Sequence, residues 1–490
     1  MGKITGFMEY ERMETQYRPI RERISDYFDL TMPADYETII CQSARCMNCG
    51  VSFCHSGIVV DGGPIGCPLG NLIPEINDLV YNGDIEGAYD RMSLTHPFPE
   101  FTSRVCPALC EGSCVLGEHE PPVTVKNIER YVIDYMLENN KIHPRTPRIR
   151  TGKKVAVVGS GPAGLACADM LNRLGNLVTV FERADTPGGL LMYGIPNMKL
   201  EKSVVMNRIR IMIEENINFV TNSEVGFDVP IIKLMNDFDA VVLCCGAANE
   251  RKLDVPGANL KGVHTAMEFL SESTKGLIGA GRAKNAGLNA HGKNVVVVGG
   301  GDTGTDCVAT SIRQGAKSVI QLEILPSPPE NRAEENPWPL WPRIKRTEYG
   351  QHEAIELFGA DPRRFSTTVQ EINGSRHVSS VTTVDVEWIG REGRMAPCPL
   401  PGTEREIEAD LVLSAMGFIG PERGLIDQLQ LDIGPGGCVM TNDDYESNLL
   451  TVFAAGDMRT GPSLVVWALS EGRNAAIACD RYLNGRGIMI

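Results

Sequence analysis

Seven cysteines between Cys46 and Cys114 stand at the intervals of metal ligands. They read Cys46-x2-Cys49-x4-Cys54-x12-Cys67-Pro, then Cys106-Pro-x2-Cys110-x3-Cys114. A structural zinc would use paired Cys-x2-Cys knuckles, and only one such pair is present. Runs of this kind, two of whose cysteines precede Pro, fit [4Fe–4S] ligation, in which a late cysteine often completes an early cluster. One cluster is expected on Cys46, Cys49, Cys54 and Cys114. A second would use Cys67, Cys106 and Cys110 with a ligand that is not a thiolate. Cys41 falls outside the pattern, and no spacing joins the cysteines from Cys167 onward, so packing roles are expected for them.

Two glycine loops carry the other chemistry. Gly159-Ser-Gly161-Pro-Ala-Gly164 lies between an expected strand and an expected helix, Ala163 to Leu174. The first glycine allows the turn, the second admits a pyrophosphate, and the third packs helix on strand, while the helix N-terminus faces the anion. Glu182 ends the next strand, where an acid can accept hydrogen bonds from ribose hydroxyls. FAD is favoured over NAD by the Gly-rich stretch Pro187 to Pro196, which could pass close to an isoalloxazine ring. Ala455-Gly456-Asp457 resembles the Gly-Asp motif of two-dinucleotide flavoproteins, which implies flavin contacts at Asp457 and Val465. The candidate FAD residues are thus Gly159, Gly161, Pro162, Ala163 and Gly164, then Glu182 with Arg183. Gly189, Leu190, Gly194 and Ile195 follow in the Gly-rich stretch, with Val225, Gly246, Gly456, Asp457 and Val465 further along.

Gly299-Gly300-Gly301-Asp302-Thr303-Gly304 repeats the mechanics after strand Val295–Val298, and should hold the nicotinamide nucleotide that reduces the flavin. Glu323, at the end of the following strand, would accept a bond from a free 2′-hydroxyl and repel a 2′-phosphate. That favours NADH. Arg332 and Arg343 to Arg346 lie within reach of a folded-back loop and would suit a phosphate, so NADPH stays open.

These residues need a scaffold. The 490-residue chain, 42% hydrophobic and 22% charged, is long enough for about three domains. From Lys154 on, strand and helix alternate as α/β. The fold expected is two nested Rossmann-like dinucleotide-binding domains, for FAD and NAD(P), preceded by a mainly α-helical iron–sulfur domain. The boundaries read 1–150 for the clusters, 151–290 for the first part of the FAD unit, 291–420 for NAD(P), and 421–490 for the returning FAD part. Residues 1–150 have little apolar material of their own, so metal is expected to staple them. A net charge of −15 argues against nucleic-acid or anionic-membrane partners. No apolar run approaches the roughly 20 residues of a membrane span, and Met1 to Tyr10 lacks the apolar core of a secretory signal. A cytoplasmic protein is expected.

The chain resembles the small (β) subunit of glutamate synthase along essentially its whole length. The resemblance is carried by Ala44-Arg-Cys-Met-Asn-Cys-Gly50, Phe98-Pro-Glu-Phe-Thr-Ser-Arg-Val-Cys-Pro107, Lys126-Asn-Ile-Glu-Arg130, Gly188 to Lys199, and Gly299 to Gly304. It implies an oxygen ligand on a helix for the second cluster, at Glu129. It also implies electron flow from NAD(P)H through FAD and the clusters to a large subunit carrying FMN and a 3Fe–4S centre, which makes L-glutamate. No residue of this chain is expected to be catalytic in its own right, because the chemistry belongs to the cofactors. Many bacterial small subunits carry a basic pair after the second nucleotide strand, whereas Leu322-Glu323-Ile-Leu-Pro stands here, as in NADH-dependent members. The insertion Pro328 to Pro342 matches that longer branch. A free-standing NAD(P)H:acceptor oxidoreductase, serving ferredoxin or a small molecule, and a transhydrogenase-type subunit remain alternatives. A purely structural zinc module is a third.

Overall fold

The computed structural model describes residues 2–280, 287–391, 394–434 and 436–485. Met1, part of the stretch read for a signal, lies outside them. Strand Lys154–Val158 is rich in valine because helices cover both faces of its sheet. That sheet is parallel, in the order Val452–Ala454, Ala240–Leu243, Lys154–Val158, Leu177–Phe181, Asn218–Val220. Its edge strand near the C-terminus returns after the second unit is complete, so one unit is nested inside the other. The second parallel sheet runs Arg363–Arg364, Ser318–Leu322, Asn294–Val298, Leu411–Ser414, Val263–Thr265.

Strand Val263–Thr265 and helix Ala266–Ala280 therefore belong with the second sheet. The boundary expected at 290 falls inside that unit. The two units are joined by a short antiparallel ribbon, Asn249–Glu250 against Phe418–Gly420. An antiparallel sheet built on Thr367–Gly374, Val378–Arg391, Arg394–Pro399 and Arg405–Glu408 was also not expected. A period-two stretch such as Val384-Asp-Val386, with both valines buried and Asp385 between them partly exposed, is that of a half-buried strand.

The N-terminal domain is helical as expected, with helices such as Ile73–Tyr81 and Val125–Glu138, plus one hairpin, Ile58–Val60 with Gly63–Ile65. Its core differs from expectation. Phe98, Phe101, Ile128 and Ile133 are fully buried, and they share one continuous cluster with Leu165 and Cys479 of the FAD unit. The domain thus completes its core against its neighbour. Arg208 and Glu100 form a buried ion pair across that boundary. The insertion Pro328 to Pro342 reaches the same domain from the other side. The Trp338 ring meets Phe53 at a tilt, centroids 5.0 Å apart, and its Nε1–H donates to the Cys114 carbonyl at 3.2 Å. The N-terminal arm is held by Arg23, which with Arg313 clamps the fully buried Glu353. Among the described residues no helix is long and apolar enough to cross a membrane.

Candidate functional site

The first glycine loop is shaped by close approach. Gly159 has φ +97°, and a Cβ there would lie 2.4 Å from the Cys244 carbonyl oxygen. At Gly164 a Cβ would meet the Gly159 carbonyl at 1.9 Å, whereas around Gly161 there is open space. Helix Pro162–Arg173 starts there with no side-chain cap, so its first N–H groups are available to phosphate oxygens. Glu182 is buried and accepts from the Ser160 N–H at 3.0 Å and the Ala184 N–H at 2.8 Å, which seats its carboxylate under the loop. The Arg183 guanidinium turns away and pairs with Glu422 at 2.6 Å.

Gly189, at φ +54°, sits within 2.8 Å of the Gly161 Cα by the same measure, so the Gly-rich stretch folds over the loop. Lys202, missed by sequence reasoning, clamps that stretch by donating to the Leu191 carbonyl at 2.9 Å and the Ile195 carbonyl at 2.6 Å. Burial pushes its pKa down to about 7. Leu190 and Gly194 lie in the same turn, a Cβ on Gly194 meeting the Leu190 side chain. Val225 is buried near Val158, and Gly246 (φ +72°) faces open space. Gly456 packs on Ala163, and Asp457 accepts from Ser463 Oγ at 2.6 Å while burial raises its pKa. Val465 opens the helix Val465–Asn484. The uncapped helix start and the space at Gly161 and Gly246 fit a dinucleotide.

At the second loop, Gly299 (φ +130°) lies against the Ala415 carbonyl and Gly304 against that of Gly299. Gly301 is open, and helix Asp302–Gln314 again begins uncapped, with Asp302 and Thr303 in its first turn. The Glu323 carboxylate reaches Gly300: a Cβ there would be 2.1 Å from Oε2. Its other oxygen accepts from the Leu325 N–H at 2.7 Å. Arg332 instead donates to the Asn336 and Leu340 carbonyls of its own loop, at 3.1 and 2.7 Å.

The cysteine field divides into two groups. Burial and the neighbouring sulfurs of Cys114, Cys46 and Cys49 push the Cys54 thiol up, so these four converge. Cys67, Cys106, Cys110 and Glu129 line a single cavity with Asn71 and His96. Burial, Glu129 and Cys106 push Cys67 up to about 12. Burial pushes Glu129 up to about 7, against the opposing bond it accepts from Asn71 Nδ2 at 3.2 Å. Among the described residues no three His, Cys, Asp or Glu side chains are arranged to hold a single ion. Buried polar groups of two residues beside these cysteines have no partner: the His96 ring Nδ1 at the second, and the Arg45 Nε and Nη1 donors near Cys114 at the first. Cluster sulfides are acceptors of the kind the Arg45 donors lack. Sequence reasoning missed both, because nothing local distinguishes a buried His or Arg from an exposed one.

The C-terminal helix connects the halves. Val466, next to Val465, lines the second cysteine cavity, and Ser470 Oγ donates to the Pro68 carbonyl at 3.1 Å.

Comparison with known proteins agrees with this arrangement. Residues 153–472 match the pyridine nucleotide-disulphide oxidoreductase family, and residues 23–141 match dihydropyrimidine dehydrogenase domain II, 4Fe-4S cluster. The glutamate synthase [NADPH] small chain of Bacillus subtilis is 48% identical over 100% of both chains. The chain belongs to the glutamate synthase small-chain family. Like its relatives it is an oxidoreductase, with an FAD and nicotinamide half and a [4Fe–4S] half. Glutamate synthase [NADH] of Schizosaccharomyces pombe is 44% identical over 99% of this chain but only 23% of its own length. The small-chain sequence is there part of a much longer polypeptide, which supports a large-subunit partner for this chain. Mycobacterium tuberculosis FprA in complex with NADPH shares the fold of the nucleotide-binding half, with TM-score 0.53 and 19% identity over 68% of this chain and 85% of that one.

Proposed function

We propose that the chain is the electron-input subunit of a glutamate synthase, with two [4Fe–4S] clusters on the ligand sets Cys46/Cys49/Cys54/Cys114 and Cys67/Cys106/Cys110/Glu129. Bound FAD takes hydride from NAD(P)H and releases electrons singly through the iron–sulfur centres. They leave for a large subunit carrying FMN and a 3Fe–4S centre, which makes L-glutamate from L-glutamine and 2-oxoglutarate.

The observation that carries this is the shared helix. Its first turn carries Val465, the flavin contact implied by the resemblance, and walls the second cysteine cavity through Val466. The expected flavin motif and the second cysteine cavity thus share one rigid element. The chain's residues position and tune: Glu182 and the glycine loops orient the nucleotides, Lys202 holds the flavin loop, and Asn71 holds Glu129. We further infer NADH as the preferred donor. The Glu323 carboxylate stands at Gly300, and Arg332 is engaged with its own loop. A cytoplasmic location agrees with fifteen cysteines that are all unpaired.

Anaerobic titration with NADH and with NADPH, followed by absorbance and EPR, tests the reading. Flavin bleaching with reduced-cluster signals supports it. A colourless, zinc-containing protein overturns it. Isolation in complex with a larger flavoprotein supports the partner, and strong dye reduction with no such partner in the genome favours a free-standing reductase.

A further inference from the structure

Arg45 is the anomaly of the N-terminal domain. Its side chain is 1% exposed, among the largest fully buried side chains of the molecule. Only Nη2 is engaged, donating to the Pro121 carbonyl at 2.5 Å, while Nε and Nη1 have no partner. Among the described residues no carboxylate comes within ion-pair distance of it. Burial lowers its pKa, Arg12 repels it, and the negative groups it feels are Cys114 and, more weakly, the exposed Glu120. Arg12 is itself held by Glu14 and Glu111, so it leaves no anion over. A guanidinium cannot shed its proton at neutral pH. Isolating one from water without a counter-charge is strongly unfavourable, and a group that is not part of the polypeptide would relieve that cost by neutralising it.

We infer that Arg45 is the buried counter-charge of the first iron–sulfur cluster, raising its reduction potential so that it accepts single electrons from the second. This rests on the cluster reading above. A cubane held by four thiolates carries net negative charge, and one more negative charge when reduced. A fixed cation close by, in a site of low dielectric, stabilises the reduced form more than the oxidised one. The unpartnered N–H groups would also find acceptors in the cluster's sulfides, and hydrogen bonds to sulfur raise the potential further. Arg45 touches no substrate. It acts through the centre held by Cys46 and Cys114.

The test uses the full chain, purified anaerobically, with iron counted per chain and each EPR signal followed in a redox titration. Cys114→Ser identifies the signal of the first cluster by its loss. In Arg45→Met, of similar volume and no charge, that signal should move to a more negative potential while the other stays. Arg45→Lys, which keeps the charge, should restore most of the shift. Wild-type potentials for both signals in Arg45→Met at full iron content would overturn the inference, as would an equal shift of both. Should Arg45→Met lose iron at the first site, retention in Arg45→Lys supports a charge role, and loss in both overturns it. A wild-type protein with no iron–sulfur signal at all would instead refute the proposed function.

Discussion

Glu323 and Lys202 show how much a single side chain can decide. Glu323 lies against Gly300, so a ribose entering the second loop meets a carboxylate. Glu323→Gln removes the negative charge, and we expect the KM for NADPH to fall and that for NADH to rise, each by about tenfold, the worth of one charge-assisted hydrogen bond. An unchanged ratio in steady-state dye reduction would show that the ribose lies elsewhere. Lys202 makes a prediction about pH. Its folded pKa of about 7 lies below its ordinary value of 10.5 because burial disfavours the charged form. Between those values the unfolded chain binds the extra proton, so the burden of Lys202 on stability is full below pH 7 and lifts as pH rises towards 10.5. Wild type should therefore gain on Lys202→Met across pH 7 to 10, by up to about 1.4 kcal/mol per unit. Parallel denaturation curves of the two proteins across that range would contradict it. The glycines and Glu182 were legible as motifs, whereas Lys202, Arg45 and His96 were not, since their burial depends on what folds over them.

At the scale of elements, function depends on how closely helices approach. A Cβ on Gly472 would lie 2.0 Å from the Ala163 carbonyl oxygen, backbone against backbone, so the C-terminal helix is seated directly on the FAD helix. Gly472→Ala should push them apart, destabilise the protein by about 1–3 kcal/mol, and lower the FAD retained on purification. Gly424→Ala is the control. A Cβ on that helical glycine meets nothing within 4 Å, and the change should be neutral or slightly stabilising. Normal flavin content in Gly472→Ala would show that the helices can part without disturbing the site. Strand and helix positions in both nucleotide units followed from periodicity. The antiparallel sheet at 367–408 did not, because its strands lie within a stretch whose pairing partners are set by register rather than by local pattern.

For the whole molecule, the cluster domain and the FAD unit share one core. Phe98, Phe101 and Ile128 belong to the same apolar cluster as Leu165 and Cys479. Expressing residues 151–490 alone would uncover that surface, and we expect an aggregating product with little FAD. A soluble, flavin-loaded fragment would show that the two units fold independently. The shared core also holds the second cysteine cavity against helix Val465–Asn484, through Val466.

What the residues determined alone was the chemistry on offer: thiolates at cluster intervals, two glycine loops, a ribose acid after each. Those features are local, written in spacing and backbone freedom, and they need no knowledge of distant contacts. Tertiary structure decided the rest. It brought Cys114 to Cys46, Glu129 to Cys67, and Trp338 of the inserted loop to the cluster domain. It engaged Arg332 with its own loop and left Arg45 buried without a counter-ion. Such outcomes turn on which surfaces exclude water from which charges, and burial is a property of the packed chain rather than of any stretch of it.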